Sequence, residues 1–219
     1  MENHMTDLFF EVADYYAKKL SDYGDTPQGV DWNGAESQVL RFEQLTRILP
    51  QSKDFSLNDL GCGYGALLNY LTERYRDFDY AGYDVSREMV EAARSRFSPR
   101  PNTELNFKPN HTFYVASEPL AIADYGIASG IFNVKMERSN LEWQSYVESA
   151  VDILHRTSRL GFAFNCLTSY SDADKMRDNL HYADPCFWFD RCKRYYSRQV
   201  TLLHDYGLYE FTILVRKTG

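Results

Sequence analysis

Apolar residues recur along this chain at two periods, and the changes of period divide it. Leu8, Val12, Tyr16 and Leu20 fall four apart, which predicts an amphipathic helix over 7–20. Gly24, Pro27, Gly29 and Gly34 then mark 22–34 as a loop, although it also carries Tyr23 and Trp32. Val39, Phe42, Leu45 and Leu49 predict a second helix over 35–49, turned inward on those positions and stopped by Pro50. Beyond it, short apolar runs alternate with helical spacing. Strands are predicted at 56–61, 80–85, 111–116, 125–132 and 161–167. Helices are predicted at 65–75, 86–97 and 140–156, with Ser86 as the N-cap of the second. Residues 98–111 hold three prolines and read as irregular. A polar loop over 168–185 leads into a helix at 187–196.

The chain ends differently. Two strand-like runs, 200–206 and 209–215, are separated by little more than Gly207, which predicts an antiparallel hairpin. The strand–helix alternation before it predicts an α/β fold, doubly wound, with a mainly parallel sheet and helices on both faces. Residues 1–50 read as an N-terminal helical cap within the same domain, and 51–219 as the core.

The stretch from Ser56 to Leu67, SLNDLGCGYGAL, passes from strand through glycines to helix. Glycines there permit positive φ and let a ligand lie against the backbone, where the helix N-terminus offers unpaired N–H groups. The turn alone leaves two ligands open. Gly61, Gly63 and Ala66 satisfy the dinucleotide fingerprint G-x-G-x-x-A, whereas Asp59 with Gly61, Gly63 and Gly65 makes D-x-G-x-G-x-G. Ligands of doubly wound sheets bind past the carboxyl ends of the strands. The other candidates therefore stand at strand ends: Asp84, Ser117, and 129–133.

The D-x-G-x-G-x-G stretch resembles the first motif of the Rossmann-like, class I S-adenosylmethionine (SAM)-dependent methyltransferases, of the small-molecule type. The resemblance runs over about 55–217. It implies a seven-stranded sheet closed by a C-terminal antiparallel hairpin, SAM as cofactor, and Asp59, Gly61, Cys62, Gly63 and Gly65 as its cradle. GYDVSREM is similar to the family's second motif, which places Asp84 on the ribose and Val85 and Met89 beside the adenine; the plain alternative for Asp84 is a cap on the next helix. In FYVAS, Ser117 takes the place where the family often has an acidic residue for the adenine amine, with Glu118 next. ADYGIASGIFNVK resembles the segment after the fourth strand, with Ser129, Gly130 and Ile131 under the methionyl part and Asn133 directed to the acceptor. Trp32 and Arg41 are similar to residues of the family's N-terminal cap, with Arg41 forking onto the cofactor carboxylate.

Composition narrows the partners. The chain has 219 residues, 44% hydrophobic and 16% aromatic, enough for one packed core. No apolar run approaches the roughly 20 residues of a membrane span, and the acidic N-terminus does not read as a signal peptide, so a cytoplasmic protein is expected. The four cysteines form no C-x-x-C pair, and no metal is expected. The net charge of −7 disfavours a polyanionic partner such as nucleic acid. A methyl transfer to an O or N atom of a small organic or peptide acceptor fits better. Acceptor choice is expected in the cap and the 168–185 loop. Should a general base be needed, His181 in that loop ranks first, with Asn133 as its companion in the acceptor pocket. Two rivals remain open: a small NAD(P)-dependent reductase, although no Y-x-x-x-K follows the fourth strand, and a SAM-binding protein without activity.

Overall fold

Strand β1 (Phe55–Leu60) lies inside an eight-stranded sheet and is buried along nearly its whole length. The computed structural model describes residues 2–30, 34–51, 54–98 and 110–217, with side chains from Leu8 onward. Parallel neighbours flank β1 on each side: β2 (Phe78–Asp84) and β4 (Ala123–Ala128). Beyond β2 lies β3 (Asn110–Val115), and beyond β4 lies β5 (Ser158–Thr168). The last two long strands, β7 (Gln199–Leu203) and β8 (Glu210–Arg216), pair antiparallel, and β8 also pairs antiparallel with β5. The order is thus β3-β2-β1-β4-β5-β8-β7, with the two-residue β6 (Tyr182–Ala183) paired to the end of β5. The expected α/β architecture and its C-terminal hairpin are present. The extra short strand comes from within the 168–185 segment read as a loop, which also holds a 3-10 turn at Ala173–Lys175.

The chain leaves β1 toward β2 and β3, then returns to β4 on the other side. That reversal opens a crevice at the carboxyl ends of β1 and β4. Leu60 stands opposite both Tyr83 and Ala128, so the residues that follow, Gly61, Asp84 and Ser129, emerge together.

Helices cover both faces. On one, α2 (Ala35–Leu45), α3 (Ala66–Thr72) and α4 (Arg87–Arg96) bury Phe42, Leu45, Leu68, Leu71, Val90 and Ala93 against the sheet. On the other, α5 (Asn140–Thr157) and α6 (Pro185–Tyr195) bury Trp143, Val147, Leu154, Trp188 and Cys192, joined by Leu8 of α1 (Glu2–Tyr23). Local chemistry sets their starts. Ser86 accepts the Met89 amide at 3.3 Å, as its sequence position predicts. Ser139 and Glu142 form a reciprocal capping box on α5, and Asp184 caps α6 just before Pro185.

One helix face departs from expectation. In α2, Val39 is exposed while Gln38 and Arg41 are buried. A polar cluster beneath α2 outcompetes the apolar stripe. The helix also ends at Leu45, four residues early, and tightens into a 3-10 turn at Thr46–Ile48. The four cysteines are free thiols. Among the described residues, no helix is long and apolar enough to cross a membrane, and no side-chain group could hold a metal ion.

Candidate functional site

The glycine turn is built by backbone geometry. Gly61, Gly63 and Gly65 have φ of 76°, 52° and 82°, all in the left-handed region. The amides of Gly61 and Cys62 both donate to the Tyr83 carbonyl, at 2.7 and 3.0 Å, which folds the chain sharply off β1. A Cβ on Gly61 would lie 2.1 Å from Ile131 Cγ2. The segment after β4 therefore seats directly on this turn. A Cβ on Gly63 would be in ordinary contact with Val30 at 3.5 Å and Met89 at 3.9 Å, without a clash.

Two carboxylates lie under the turn. Asp84 ends β2; its Oδ2 accepts the Gly63 amide and its Oδ1 the Ser86 amide, each at 2.9 Å. It is thus both a local cap and a tie to the glycine turn, and each oxygen keeps a second lone pair. Burial raises its pKa, opposed by those amide bonds. Asp59 is 1% exposed and accepts the Tyr80 hydroxyl at 2.5 Å. Burial pushes its pKa to about 7; the tyrosine bond works the other way, and the Asp84 charge adds to the rise. Burial likewise raises the neighbouring Cys62 thiol.

A cavity of about 570 Å³ opens here. Asp59, Gly61, Cys62, Gly63, Asp84, Met89, Ser129 and Gly130 all line it, together with Tyr16, Gln38, Tyr64 and Ile131. A second cavity of about 620 Å³ shares Tyr16, Gly61, Asp84 and Ile131 with the first. It adds Val85 and Ser117 below, Tyr83 and Tyr146 at the sides, and Phe9 and Val12 of α1. Helix α1 thus contributes Phe9, Val12 and Tyr16 from one face to a continuous space above the strand ends. Among the described lining residues there is no Lys, Arg or His.

The remaining sequence candidates sit elsewhere. Gly65 lines neither cavity; it is the left-handed N-cap of α3. Arg41 does fork onto a carboxylate, but the carboxylate is that of Glu210, reached at 2.6–2.9 Å in a buried pair. Its guanidinium is committed within the protein rather than turned to the cavity. Asn133 is buried, with its Oδ1 accepting the Leu167 amide at 3.1 Å, so it ties two strand ends rather than facing a pocket. His181 is 5% exposed and lines neither cavity. Its backbone donates to the Asn133 carbonyl at 2.8 Å. Burial, helped by the Lys135 charge, lowers its ring pKa to about 4. A buried neutral ring outside the cavities cannot reach a reacting atom in them. Glu118 is a surface partner of Arg156. Trp32 lies outside the described residues.

Sequence reading missed the part played by Tyr146 in the second cavity, and by Tyr80 beneath Asp59. Tyr146 stands in a helix whose inward face looks like ordinary core. Only the packing of α5 across the strand ends gives it a site.

Residues 58–117 match a family model described as a methyltransferase domain. Over 173 residues the chain is 57% identical to a Mycobacterium tuberculosis protein named "Putative methyltransferase Rv1506c", covering 79% of this chain and 99% of that one. The fold is similar to magnesium protoporphyrin IX methyltransferase of Synechocystis PCC 6803 with bound SAH, at a TM-score of 0.65 and 13% identity over 95% of this chain and 99% of that one. It is also similar to the small RNA methyltransferase HEN1, at 0.60 and 15% identity, over 82% of this chain and 26% of that one. The sequence matches set the reductase reading aside. From the D-x-G-x-G-x-G turn, the strand order, and 57% identity across nearly all of a relative, the chain belongs to the class I SAM-dependent methyltransferases.

Proposed function

We propose that this chain moves the methyl group of SAM to an O or N atom of a small organic or peptide acceptor held beneath α1. One observation carries the reading. Two carboxylates, buried Asp59 and half-buried Asp84, share a cavity with a glycine turn and with no lining cation among the described residues. SAM brings an ammonium and a sulfonium, so its charge complements the site. The residues present fit it. Asp84 keeps a lone pair on each oxygen for ribose hydroxyls. Gly63 lines the cavity without crowding at its Cβ position, which suits a close approach to the backbone. Ser129 lines the same cavity with a buried hydroxyl that has no hydrogen-bond partner. Met89 borders the first cavity, and Val85 and Ser117 lie in the second, where Tyr83, Ile131 and Tyr146 offer apolar walls to a base.

Bound there, SAM supplies the electrophilic methyl carbon. The chain's own contribution is alignment and exclusion of water. Phe9, Val12 and Tyr16 roof the space, so an acceptor reaches it only in a site enclosed by α1. No histidine stands among the described lining residues, so an acceptor that needs no early deprotonation suits the site. An amine, or a hydroxyl that sheds its proton late, meets that condition.

A space roofed by α1 and a net charge of −7 favour a small acceptor over a nucleic acid. The experiment is an acceptor screen with labelled SAM across phenols, amines, short peptides and small RNAs. Transfer to members of the first three classes is expected. Transfer confined to RNA overturns the acceptor assignment.

A further inference from the structure

A buried chain of hydrogen bonds runs from α2 through the C-terminal strands to the segment after β4. Arg41 Nε donates to both oxygens of Glu210, at 2.9 and 2.8 Å, and its Nη2 donates to Oε1 at 2.6 Å. Asn165 Nδ2 donates to Glu210 Oε2 at 2.6 Å. On its other side, Asn165 Oδ1 accepts the Gly130 amide at 2.9 Å. All three side chains are buried, Asn165 completely. Gly130 has φ 76°, and its neighbours Ser129 and Ile131 line the first cavity with it.

The chemistry of the chain fixes a direction. An ionised carboxylate only accepts, so Glu210 obliges Asn165 to present its NH2 side. The carbonyl of Asn165 must then face the Gly130 amide. Arg41 holds Glu210 in place by the planar match of guanidinium and carboxylate. A buried ion pair is a weak source of stability, because desolvation offsets its attraction, and apolar residues often do as well. What it supplies here is orientation. Three residues before Arg41, on the same face of α2, Gln38 lines the first cavity and donates to the Tyr64 hydroxyl of the glycine turn at 3.3 Å. One helix therefore reaches both turns that border the cavity.

We propose that Asn165, oriented by the Arg41–Glu210 pair, is a positioning residue that holds the Gly130 amide and thereby sets Ser129 and Ile131 against the cofactor. The proposal rests on the reading that this cavity takes SAM. Arg41 serves the cofactor at two removes, through Glu210 and Asn165.

The test exploits the direction of the chain. Asn165→Asp sets two carboxylates against each other, and Glu210→Gln removes the charge that orients Asn165. The double variant, Asn165→Asp with Glu210→Gln, restores a donor facing an acceptor between residues 165 and 210 and toward the Gly130 amide, and conserves net charge. Arg41 keeps its two bonds to the Oε1 position and gives up only the Nε bond to Oε2. SAM affinity is measured by calorimetry beside the thermal midpoint for all four proteins. SAM binding by the unsubstituted protein tests the cavity reading by itself. Each single variant is expected to weaken SAM binding at least about tenfold, and the double variant to return within about threefold of the original. Single variants that melt earlier yet keep their affinity overturn the proposal, and so does a double variant no better than the worse single. If a single variant fails to fold, the double decides by the same threefold criterion. Hydrogen exchange at the Gly130 amide of the unsubstituted protein gives an independent reading: strong protection supports the Asn165 bond, and rapid exchange overturns it.

Discussion

Asp84 Oδ2 accepts the amide of Gly63 at 2.9 Å, so the end of β2 and the turn after β1 are fastened by one carboxylate. The residue proposed to meet the ribose also sets the shape of the turn beside it. Asp84→Ala removes both roles. With charge-assisted hydrogen bonds at about 1.5–3 kcal/mol each, SAM affinity should fall at least about tenfold. Calorimetry on the folded variant checks this, and an unchanged dissociation constant would reduce Asp84 to a local cap.

Gly61→Ala should damage the site from the backbone side. Its φ of 76° disfavours any Cβ, and that Cβ would fall 2.1 Å from Ile131 Cγ2. Overpacking of this kind costs about 1–3 kcal/mol. The thermal midpoint should drop and SAM binding weaken. Adding Ile131→Ala should recover part of the midpoint, since it relieves the contact but not the strained φ.

The raised pKa of Asp59 makes both stability and binding depend on pH. Its folded value of about 7 lies above the ordinary carboxylate value near 4, so between them the folded chain holds the proton that the unfolded chain has lost. Stability from this group is full below about pH 4 and falls as pH rises to about 7. SAM binding should run the other way, because the ionised carboxylate attracts the cationic cofactor. Affinity should rise toward pH 7 and level off above it, with proton release measurable near pH 6 by calorimetry in buffers of different ionisation enthalpy. Asp59→Asn should remove both trends; a pH profile that persists in this variant assigns them to another group.

Tyr16 lines both cavities from α1. Tyr16→Ala opens the roof where the two spaces meet. Turnover should fall at least about tenfold, more than SAM affinity does, because a lid acts mainly on alignment and water exclusion. A variant with full turnover ends the lid assignment.

His181→Asn should leave the pH–rate profile unchanged, since the ring is buried away from the cavities. Loss of an ionisation near neutrality in that variant would restore His181 as the base.

The glycine turn, the carboxylate at the end of β2, and the antiparallel close were legible in the sequence because each depends on local chemistry. Positive φ calls for glycine at 61, 63 and 65, a strand end carries Asp84, and two short strands with almost no linker must turn back on each other. The same holds for Ser86 and the start of α4. Arg41, Asn133 and His181 were another matter. Their sequence positions suited a site equally well, but Arg41 and Asn133 take partners remote in the chain, Glu210 and Leu167, and His181 is buried only by folding. A polar side chain takes whichever partner burial leaves it, and burial is decided by the packing of whole helices and strands. For the same reason Tyr146 reads as core until α5 closes over the strand ends. Sequence alone determined the turn, the sheet and the cofactor family. Tertiary structure alone decided which polar residues were spent inside the protein and which were left facing the cavity.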